Sequence, residues 1–185
     1  MKKIFINSML CLFILIGFNA CVSKNDPVKK ANEKNEMKAD KGIVVDKVAD
    51  FLVKSADARM MDAQEGKLAV EKGTTAEIRE YGKLMVADQA MLLAEIQKLA
   101  ANRSITLPTI ISEPKQNGRE KLLEKQGKDF DKKFIKMITI DHKRDVKLFK
   151  QATKFNDPGV SSFAKKYLPL IQSHLDQSKA IKKRL

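Results

Sequence analysis

Four long segments of this 185-residue chain carry apolar side chains at helical spacing, and this pattern constrains the fold more than any other feature. Apolar residues recur every three or four positions over residues 44–72, 74–102, 128–155 and 157–181. No segment alternates apolar and polar residues as a strand does. The pattern therefore predicts an all-α protein and, more specifically, a four-helix bundle.

The connections between these segments predict the topology. Short turns join the first to the second segment and the third to the fourth, so each pair forms an antiparallel hairpin. Between the hairpins, residues 104–116 read as extended chain with Pro108 and Pro114, and residues 118–126 read as a short helix. Thirteen extended residues reach ~43 Å, about the length of the helices. We therefore expect a ferritin-like four-helix bundle with a long crossover between helices two and three and a short extra helix. An up-down-up-down bundle is the alternative if this segment packs at one end only.

The N-terminus has the pattern of a signal peptide. Lys2 and Lys3 precede an apolar stretch over residues 9–18. Ten helical residues rise only ~15 Å, too little for a ~30 Å hydrocarbon core. The stretch ends in Ala20-Cys21, which resembles the lipobox of bacterial lipoproteins, where cleavage precedes a cysteine that becomes lipidated. We expect a signal peptide over 1–20 and lipidation at Cys21; ordinary secretion with a free thiol is the alternative.

The segment after Cys21 has few large apolar side chains. Residues 22–42 are rich in lysine, asparagine and acidic residues, a composition that cannot bury enough surface to offset its ordering entropy. We predict that residues 21–42 are the lipidated cysteine and a flexible tether, and that the ferritin-like domain spans 43–185. Val22 replaces the aspartate that retains some lipoproteins at the inner membrane, which favours the outer membrane.

Charge and composition exclude several classes of function. The net charge is +13, but the basic residues are spread among acidic ones along helix faces and are not interleaved with aromatic residues. Nucleic-acid binding is therefore not expected. Two cysteines exclude a disulfide-rich scaffold or a four-thiolate zinc site. Contact with anionic envelope polymers stays open as a use of the basic surface.

Five polar residues interrupt the apolar stripes. His142 lies on the third stripe, His174 on the fourth, Gln89 on the second, and Glu65 on the first with Asp62 one turn earlier. Crossover topology places these positions at comparable heights in the bundle. They form either a buried network of mutual hydrogen bonds or the ligands of a mononuclear transition metal, with His142 and His174 as the principal ligands.

The spacing excludes the usual di-iron site of ferritin-like proteins. That site needs Glu-x-x-His on two helices, whereas Thr139 and Ile171 precede the two histidines by three residues. No serine nucleophile with its partners, no phosphate-binding loop and no paired catalytic carboxylates are present. We therefore assign no catalytic residues and no required cofactor, while a transition metal remains an alternative.

Several short motifs resemble the bacterial outer-membrane proteins of domain-of-unknown-function family 4142. The residues that carry the resemblance are Glu65 to Ala69, Met85 to Asp88, Ile105 to Pro108, Gly127, Phe130, Asp131, Met137 to His142, Leu148, Phe149, Asp157, Phe163, Ala164, Leu168, Pro169 and His174. The resemblance covers residues 43–185 and implies a ferritin-like helical fold and an envelope location. The family has a histidine at the position of Gln89. The resemblance implies no established activity.

The sequence therefore predicts a lipid-anchored protein of the bacterial cell envelope, an outer-membrane lipoprotein facing the periplasm or the surface. Its domain is expected to be a non-catalytic binding or structural module. The alternatives are a mononuclear metal-binding protein with weak oxidoreductase activity and a bundle that contacts anionic envelope polymers. The membrane is the expected partner, through the lipid anchor.

The lipid anchor is tested by replacing Cys21. A Cys21→Ser chain should incorporate no radiolabelled fatty acid and should accumulate as precursor in the membrane fraction, because cleavage and acylation both require the cysteine. Cys11→Ser, a change within the apolar stretch, is the matched control and should be processed normally. Unchanged lipid incorporation in Cys21→Ser would show that the anchor is elsewhere or absent.

Overall fold

The computed structural model describes residues 25–185, and the predicted signal peptide and Cys21 lie outside them. Six helices and no strand occur within the described residues. None of these helices is both long enough and apolar enough to cross a membrane. The helices, in chain order, are α1 Pro27–Ala39, α2 Asp46–Lys72, α3 Ala76–Ala101, α4 Glu113–Leu123, α5 Gly127–Ala152 and α6 Pro158–Lys182.

Contacts along α2 and α5 fix the relative direction of these two helices. Near the start of α2, Phe51 packs edge-to-face on Phe149, with ring centroids 5.2 Å apart. Beyond its end, the Thr74 backbone N–H donates to Asp131 Oδ1 at 3.1 Å. Residues early in α2 therefore contact residues late in α5, and the two helices are antiparallel.

The second pair of neighbouring helices, α3 and α6, is also antiparallel. Lys166 Nζ lies 3.0 Å from Glu95 Oε1, and Arg184, beyond the end of α6, pairs with Glu77 at the start of α3. Only residues 73–75 separate α2 from α3, and Gly66 near the end of α2 lies against Gly82 near the start of α3, so these two helices are antiparallel as well. Since α2 is antiparallel to both α3 and α5, helices α3 and α5 run parallel. The long crossover of the predicted ferritin-like bundle is therefore confirmed.

The helix boundaries follow local capping. The Thr75 hydroxyl accepts the Ile78 N–H at 3.2 Å at the start of α3, and the Asp157 carboxylate accepts the Val160 N–H at 2.9 Å at the start of α6. The short helix of the crossover begins five residues earlier than predicted, because Pro114 lies in its first turn, where a missing N–H has no cost.

The flexible tether predicted over residues 22–42 is wrong for the described part of that segment, which forms α1 and a turn. The prediction rested on low apolar content, but polar contacts to the crossover hold α1 in place. The Asn35 side chain donates to the Thr106 carbonyl and accepts the Thr106 N–H, both at 2.8 Å. Lys38 Nζ donates to the Ser104 carbonyl at 2.7 Å, and Ala31 is buried.

The start of α1 is also fixed. Asp26 is buried, and its Oδ1 caps the helix by accepting the Val28 N–H at 2.9 Å. Its Oδ2 accepts the Glu113 N–H at 2.7 Å, which joins the start of α1 to the start of α4. The packed domain therefore begins near Asp26, not at residue 43.

Two glycines allow α2 and α3 to approach closely. A Cβ added at Gly82 would lie 2.7 Å from the Gly66 carbonyl oxygen and 2.9 Å from Ala69 Cβ. A Cβ added at Gly66 would likewise lie 2.8 Å from the Gly82 carbonyl oxygen. The obstacles include backbone atoms, so a side chain at either position would push the two helices apart.

Replacing Gly82 with alanine should therefore destabilise the bundle. We expect Gly82→Ala to lower the free energy of unfolding by about 1–3 kcal/mol, the usual cost of overpacking. Gly118→Ala is the matched control, since its Cβ would meet only Met137 Cε at 3.6 Å and Met61 Cε at 3.9 Å. This control should raise the free energy by up to about 1 kcal/mol through helix propensity. Equal urea midpoints for the two variants would contradict the close approach.

Candidate functional site

A layer of buried polar residues divides the core of the bundle into two apolar halves. One half contains Leu52, Phe149 and Phe163, and the other contains Leu68 and Phe134. Between them, all four long helices contribute polar side chains. We call this layer the central polar cluster, and its members are Arg59, Asp62, Glu65, Gln89, His142, Asp145 and His174.

A single guanidinium supplies positive charge within the cluster. Arg59 is fully buried, and its Nη2 donates a hydrogen bond to Asp145 Oδ2. The same nitrogen lies 3.3 Å from Asp62 Oδ2. Arg59 Nε and Nη1 have no hydrogen-bond partner among the described residues. One positive charge is thus set against the carboxyl groups of Asp62, Asp145 and Glu65.

Two of these carboxyl groups, those of Asp62 and Glu65, are fully buried and poorly compensated. Neither oxygen of either group accepts a hydrogen bond from a described residue, although Arg59 lies at ion-pair distance from Asp62. Burial raises the pKa of Glu65 well above 4.5, and Asp62 and Asp141 raise it further. Burial also raises the pKa of Asp62, while Arg59 opposes that shift. The cluster therefore disfavours its own negative charge.

His142 is held as a neutral imidazole with a free lone pair. Its Nδ1 lies 3.1 Å from the Ile138 carbonyl oxygen, which can only accept, so Nδ1 carries the hydrogen. The lone pair is then on Nε2, which has no partner among the described residues. Burial lowers the pKa of His142 well below 6.5, and Arg59 lowers it further. An Nδ1–H bonded to a backbone carbonyl is the usual orientation of a metal-binding histidine.

His174 lies beside His142, with ring centroids 5.3 Å apart and an interplanar angle of 70°. Its Nε2 is 2.8 Å from Asp88 Oδ2, and its Nδ1 has no partner among the described residues. Burial lowers the pKa of His174, and Asp88 opposes the shift. The Tyr81 hydroxyl donates to the His174 carbonyl oxygen at 2.9 Å. Contacts to α3 thus fix this histidine.

Two groups of side chains have the geometry to hold a metal ion, and both include Asp62. One ligand atom each from Asp62, His142 and Asp145 lie within 4.8 Å of one another. The same limit holds for Asp62, Glu65 and Asp141. Together they offer one imidazole nitrogen and carboxylate oxygens, a donor set that suits zinc, manganese or iron(II).

A surface cleft leads to one edge of the cluster. It has a volume of about 350 Å³, and Asp145 and Asp141 line it together with Asp57. Its lining comes from α2, α4 and α5, and it includes the four basic residues Lys54, Lys115, Arg144 and Lys147. The cluster is therefore buried within the bundle but adjoins solvent on this side through its carboxyl groups.

The structure brings together the five polar residues that the sequence singled out. Asp62, Glu65, Gln89, His142 and His174 are all fully buried in the layer between the two apolar halves of the core. However, no described hydrogen bond joins any two of them. Gln89 Nε2 instead lies 3.7 Å from Met85 Sδ, and its Oε1 has no described partner. The expected network of mutual hydrogen bonds is not present among these side chains.

Comparison with known proteins places this helical domain in a family. The family model described as "Domain of unknown function (DUF4142)" matches residues 32–181. The chain belongs to the DUF4142 family. The match begins inside α1, consistent with α1 being part of the packed domain. No curated protein matches the chain.

A solved structure supports the fold of this DUF4142 domain. The crystal structure of a DUF305 fragment from Deinococcus radiodurans has a TM-score of 0.68 and 10% sequence identity. The match covers 77% of this chain and 99% of that chain. At this identity the similarity concerns the helical fold alone.

Sequence reasoning missed four charged residues at the site of the DUF4142 domain. Arg59 lies one turn before Asp62, and Asp145 lies one turn after His142, so helical spacing could have indicated both. Asp141 and Asp88 immediately precede His142 and Gln89 and read as solvent-facing positions. Which groups these two side chains face depends on the orientation of each helix about its axis relative to its neighbours, and no local sequence pattern shows that orientation.

Replacing Glu65 should remove a pH-dependent loss of stability from the metal-free domain. The pKa of Glu65 is raised above 4.5 in the folded chain. Its contribution to the free energy of unfolding is therefore fully present below pH 4.5, where Glu65 is protonated in both states, and is lost as pH rises towards the folded pKa. With a chelator present, Glu65→Gln should gain stability over wild type between pH 5 and pH 8, by up to ~1.4 kcal/mol per pH unit within that window.

The control for this prediction is Glu80→Gln, which changes an exposed glutamate on α3. Its difference from wild type should be the same at both pH values. Urea denaturation of the three proteins at pH 5 and pH 8 measures the free energies of unfolding. A pH-independent difference for Glu65→Gln would mean that Glu65 is ionised at both pH values.

Proposed function

We propose that this DUF4142 domain binds one divalent transition-metal ion in its central polar cluster, as a lipid-anchored envelope protein without catalytic turnover. The observation that carries this proposal is the set of potential metal-ligand atoms at the centre of the bundle that have no hydrogen-bond partner among the described residues. The carboxylate oxygens of Asp62 and Glu65 and Nε2 of His142 are buried, and none has a hydrogen-bond partner among the described residues. Such groups cost about 1–3 kcal/mol each when left unsatisfied.

Charge balance supports a divalent ion. Arg59 neutralises at most one of the three buried carboxylates of Asp62, Glu65 and Asp145. Without another cation, the remaining negative charge requires protonation, in accord with the raised pKa of Glu65. A divalent cation offsets two negative charges and supplies the partners that the oxygens lack.

The ligand atoms limit which metal ions suit the site. Asp62, His142 and Asp145 provide two oxygens and one imidazole nitrogen, with Glu65 and Asp141 as further oxygen donors. Neutral His142 with its Nδ1–H on the Ile138 carbonyl is oriented to bind through Nε2. This set suits zinc, manganese or iron(II), and it lacks the thiolate and thioether ligands that select copper(I).

The absence of turnover is part of the proposal. The central polar cluster consists of acids, histidines, an amide and an arginine, and it contains no hydroxyl or thiol nucleophile. Its carboxyl groups and Arg59 are buried within a packed core. Metal storage, sensing or structural stabilisation fits such a site better than catalysis on a bound organic molecule.

The envelope location is also a proposal, supported by the sequence of residues 1–22. The short apolar stretch followed by Ala20-Cys21 supports export and lipidation, and Val22 favours the outer membrane. A periplasmic domain meets external metal ions before the cytoplasm does, which suits a metal-binding module at this site.

Metal titration tests the proposed function. Chelator-treated protein titrated calorimetrically with Zn²⁺, and separately with Mn²⁺, should bind about one ion per chain. Saturation at 100 times the dissociation constant should raise the free energy of unfolding by ~2.7 kcal/mol. Asp62→Asn and His142→Gln should each weaken binding ~10-fold or more, since each removes a ligand.

The matched control is Asp176→Asn, an exposed acid on α6 outside the cluster. It should bind the metal as wild type does. Circular dichroism of each variant establishes that it is folded before titration. Binding that survives in both cluster variants, or that is absent from the wild-type protein, would overturn the proposal.

A further inference from the structure

We propose that α1 and the segments packed beside it form a surface that lies on the bilayer to which Cys21 is anchored. This inference rests on the lipid anchor of the proposed function but not on the metal site. We call this surface the α1 face. Its apolar members are Met37, Ile43, Val45 and Ile110.

The length of chain before α1 is the first argument. Five peptide units join Cys21 to Asp26, and at ~3.5 Å each they reach at most ~17 Å. Asp26 is a fixed point, since it is buried, caps α1 and accepts the Glu113 N–H. A lipid on Cys21 therefore keeps the start of α1 within ~17 Å of the bilayer surface. A 20-residue flexible tether would have allowed a much larger distance between the domain and the bilayer.

The position of that fixed point along the bundle is the second argument. Next to Glu113, the Ser112 N–H donates to Asp57 Oδ1 at 2.7 Å. Asp57 is near the middle of α2, ~16 Å from the helix start and ~22 Å from its end by the rise per residue. A connection of at most ~17 Å that starts at this height cannot reach the level of the α2 end, and it reaches the level of the α2 start only when fully extended. This geometry favours the long side of the bundle facing the membrane.

The distribution of exposed apolar side chains is the third argument. Six large hydrophobic residues are exposed among the described residues. Three of them, Met37, Ile43 and Val45, lie within nine consecutive residues at the end of α1 and in the following turn. Ile110 lies on the crossover between Thr106, which bonds Asn35, and Glu113, which bonds Asp26. Four of the six therefore belong to α1, the turn that follows it, and the crossover segment that is hydrogen-bonded to it.

Charge along α1 suits anionic lipid headgroups. Residues 27–42 contain five lysines and three acidic residues; four of the lysines and all three acidic residues are exposed, which leaves an exposed excess of one positive charge. The exposed lysines are Lys29, Lys30, Lys34 and Lys41. Basic residues beside exposed apolar ones are the usual composition of a segment that lies in the membrane interface.

Depth measurement by spin labelling tests the α1 face in the full-length lipidated protein. If Cys21 is lipidated, the mature chain has no other cysteine, so Met37→Cys, Ile43→Cys and Ser173→Cys each carry one label. Ser173 is the control, because it is exposed on α6, diagonally across the bundle from α2. The vesicles contain phosphatidylethanolamine and phosphatidylglycerol.

Power-saturation measurements should place the labels at 37 and 43 ~5–10 Å inside the headgroup boundary and the label at 173 in water. All three labels in water, on protein that carries lipid at Cys21, would overturn the α1 face and leave the anchor intact. Dipolar broadening between labels at 37 would show that a second copy covers this surface, and would also overturn the inference. If the protein carries no lipid at Cys21, the inference about the α1 face is overturned, because it presupposes the anchor. This outcome is independent of the result of the metal titration.

Discussion

The imbalance of buried charge at the centre of the bundle is the constraint on which the rest of this structure depends. Arg59 is shared between Asp62 and Asp145, and Glu65 is buried with no described partner. Breaking a buried ion pair by removing one partner typically costs 3–5 kcal/mol, so these residues are coupled. An apolar layer at this height would pack without that cost. The cluster therefore makes the stability of the fold depend on how the negative charge of its carboxyl groups is neutralised.

The crossover is what allows four helices to meet at this layer. It makes α3 and α5 parallel, so that Asp88 on α3 reaches His174 on α6, and Asp145 on α5 reaches Arg59 on α2. The Gly66–Gly82 contact brings α2 and α3 together on the opposite side. The side chains that could hold a metal ion lie on α2 and α5, while a contact with α3 orients the second histidine, which lies on α6. The topology therefore determines which pair of helices supplies each part of the site.

The sequence predicted the fold well because apolar periodicity and connection length both reflect packing directly. Phe134, Ile138 and Phe149 repeat at helical spacing because they lie on the side of α5 that faces the interior of the bundle. The proline-containing crossover is long because it spans the bundle. The sequence predicted the buried histidines for the same reason. It did not predict Arg59 as part of the site, because an isolated arginine on a stripe also reads as a solvated edge. It missed α1 because α1 is held by polar contacts, such as Asn35 with Thr106, which leave no apolar pattern.

The segment Ser112 to Lys115 links the surface cleft, the start of α1 and the carboxyl groups of the central polar cluster. Its first residue bonds Asp57, which lines the cleft, and Glu113 bonds Asp26, where the packed domain begins. Burial raises the pKa of Asp57, Asp62, Glu65 and Asp141, and Lys115, at the same cleft, opposes that rise by Coulombic attraction. A positive charge at the entrance opposes the approach of a metal ion while it stabilises the ionised carboxylates that would bind one. Displacing α4 would move Lys115 and release Asp57 together, so access to the cluster is tied to the same segment that fixes the start of α1.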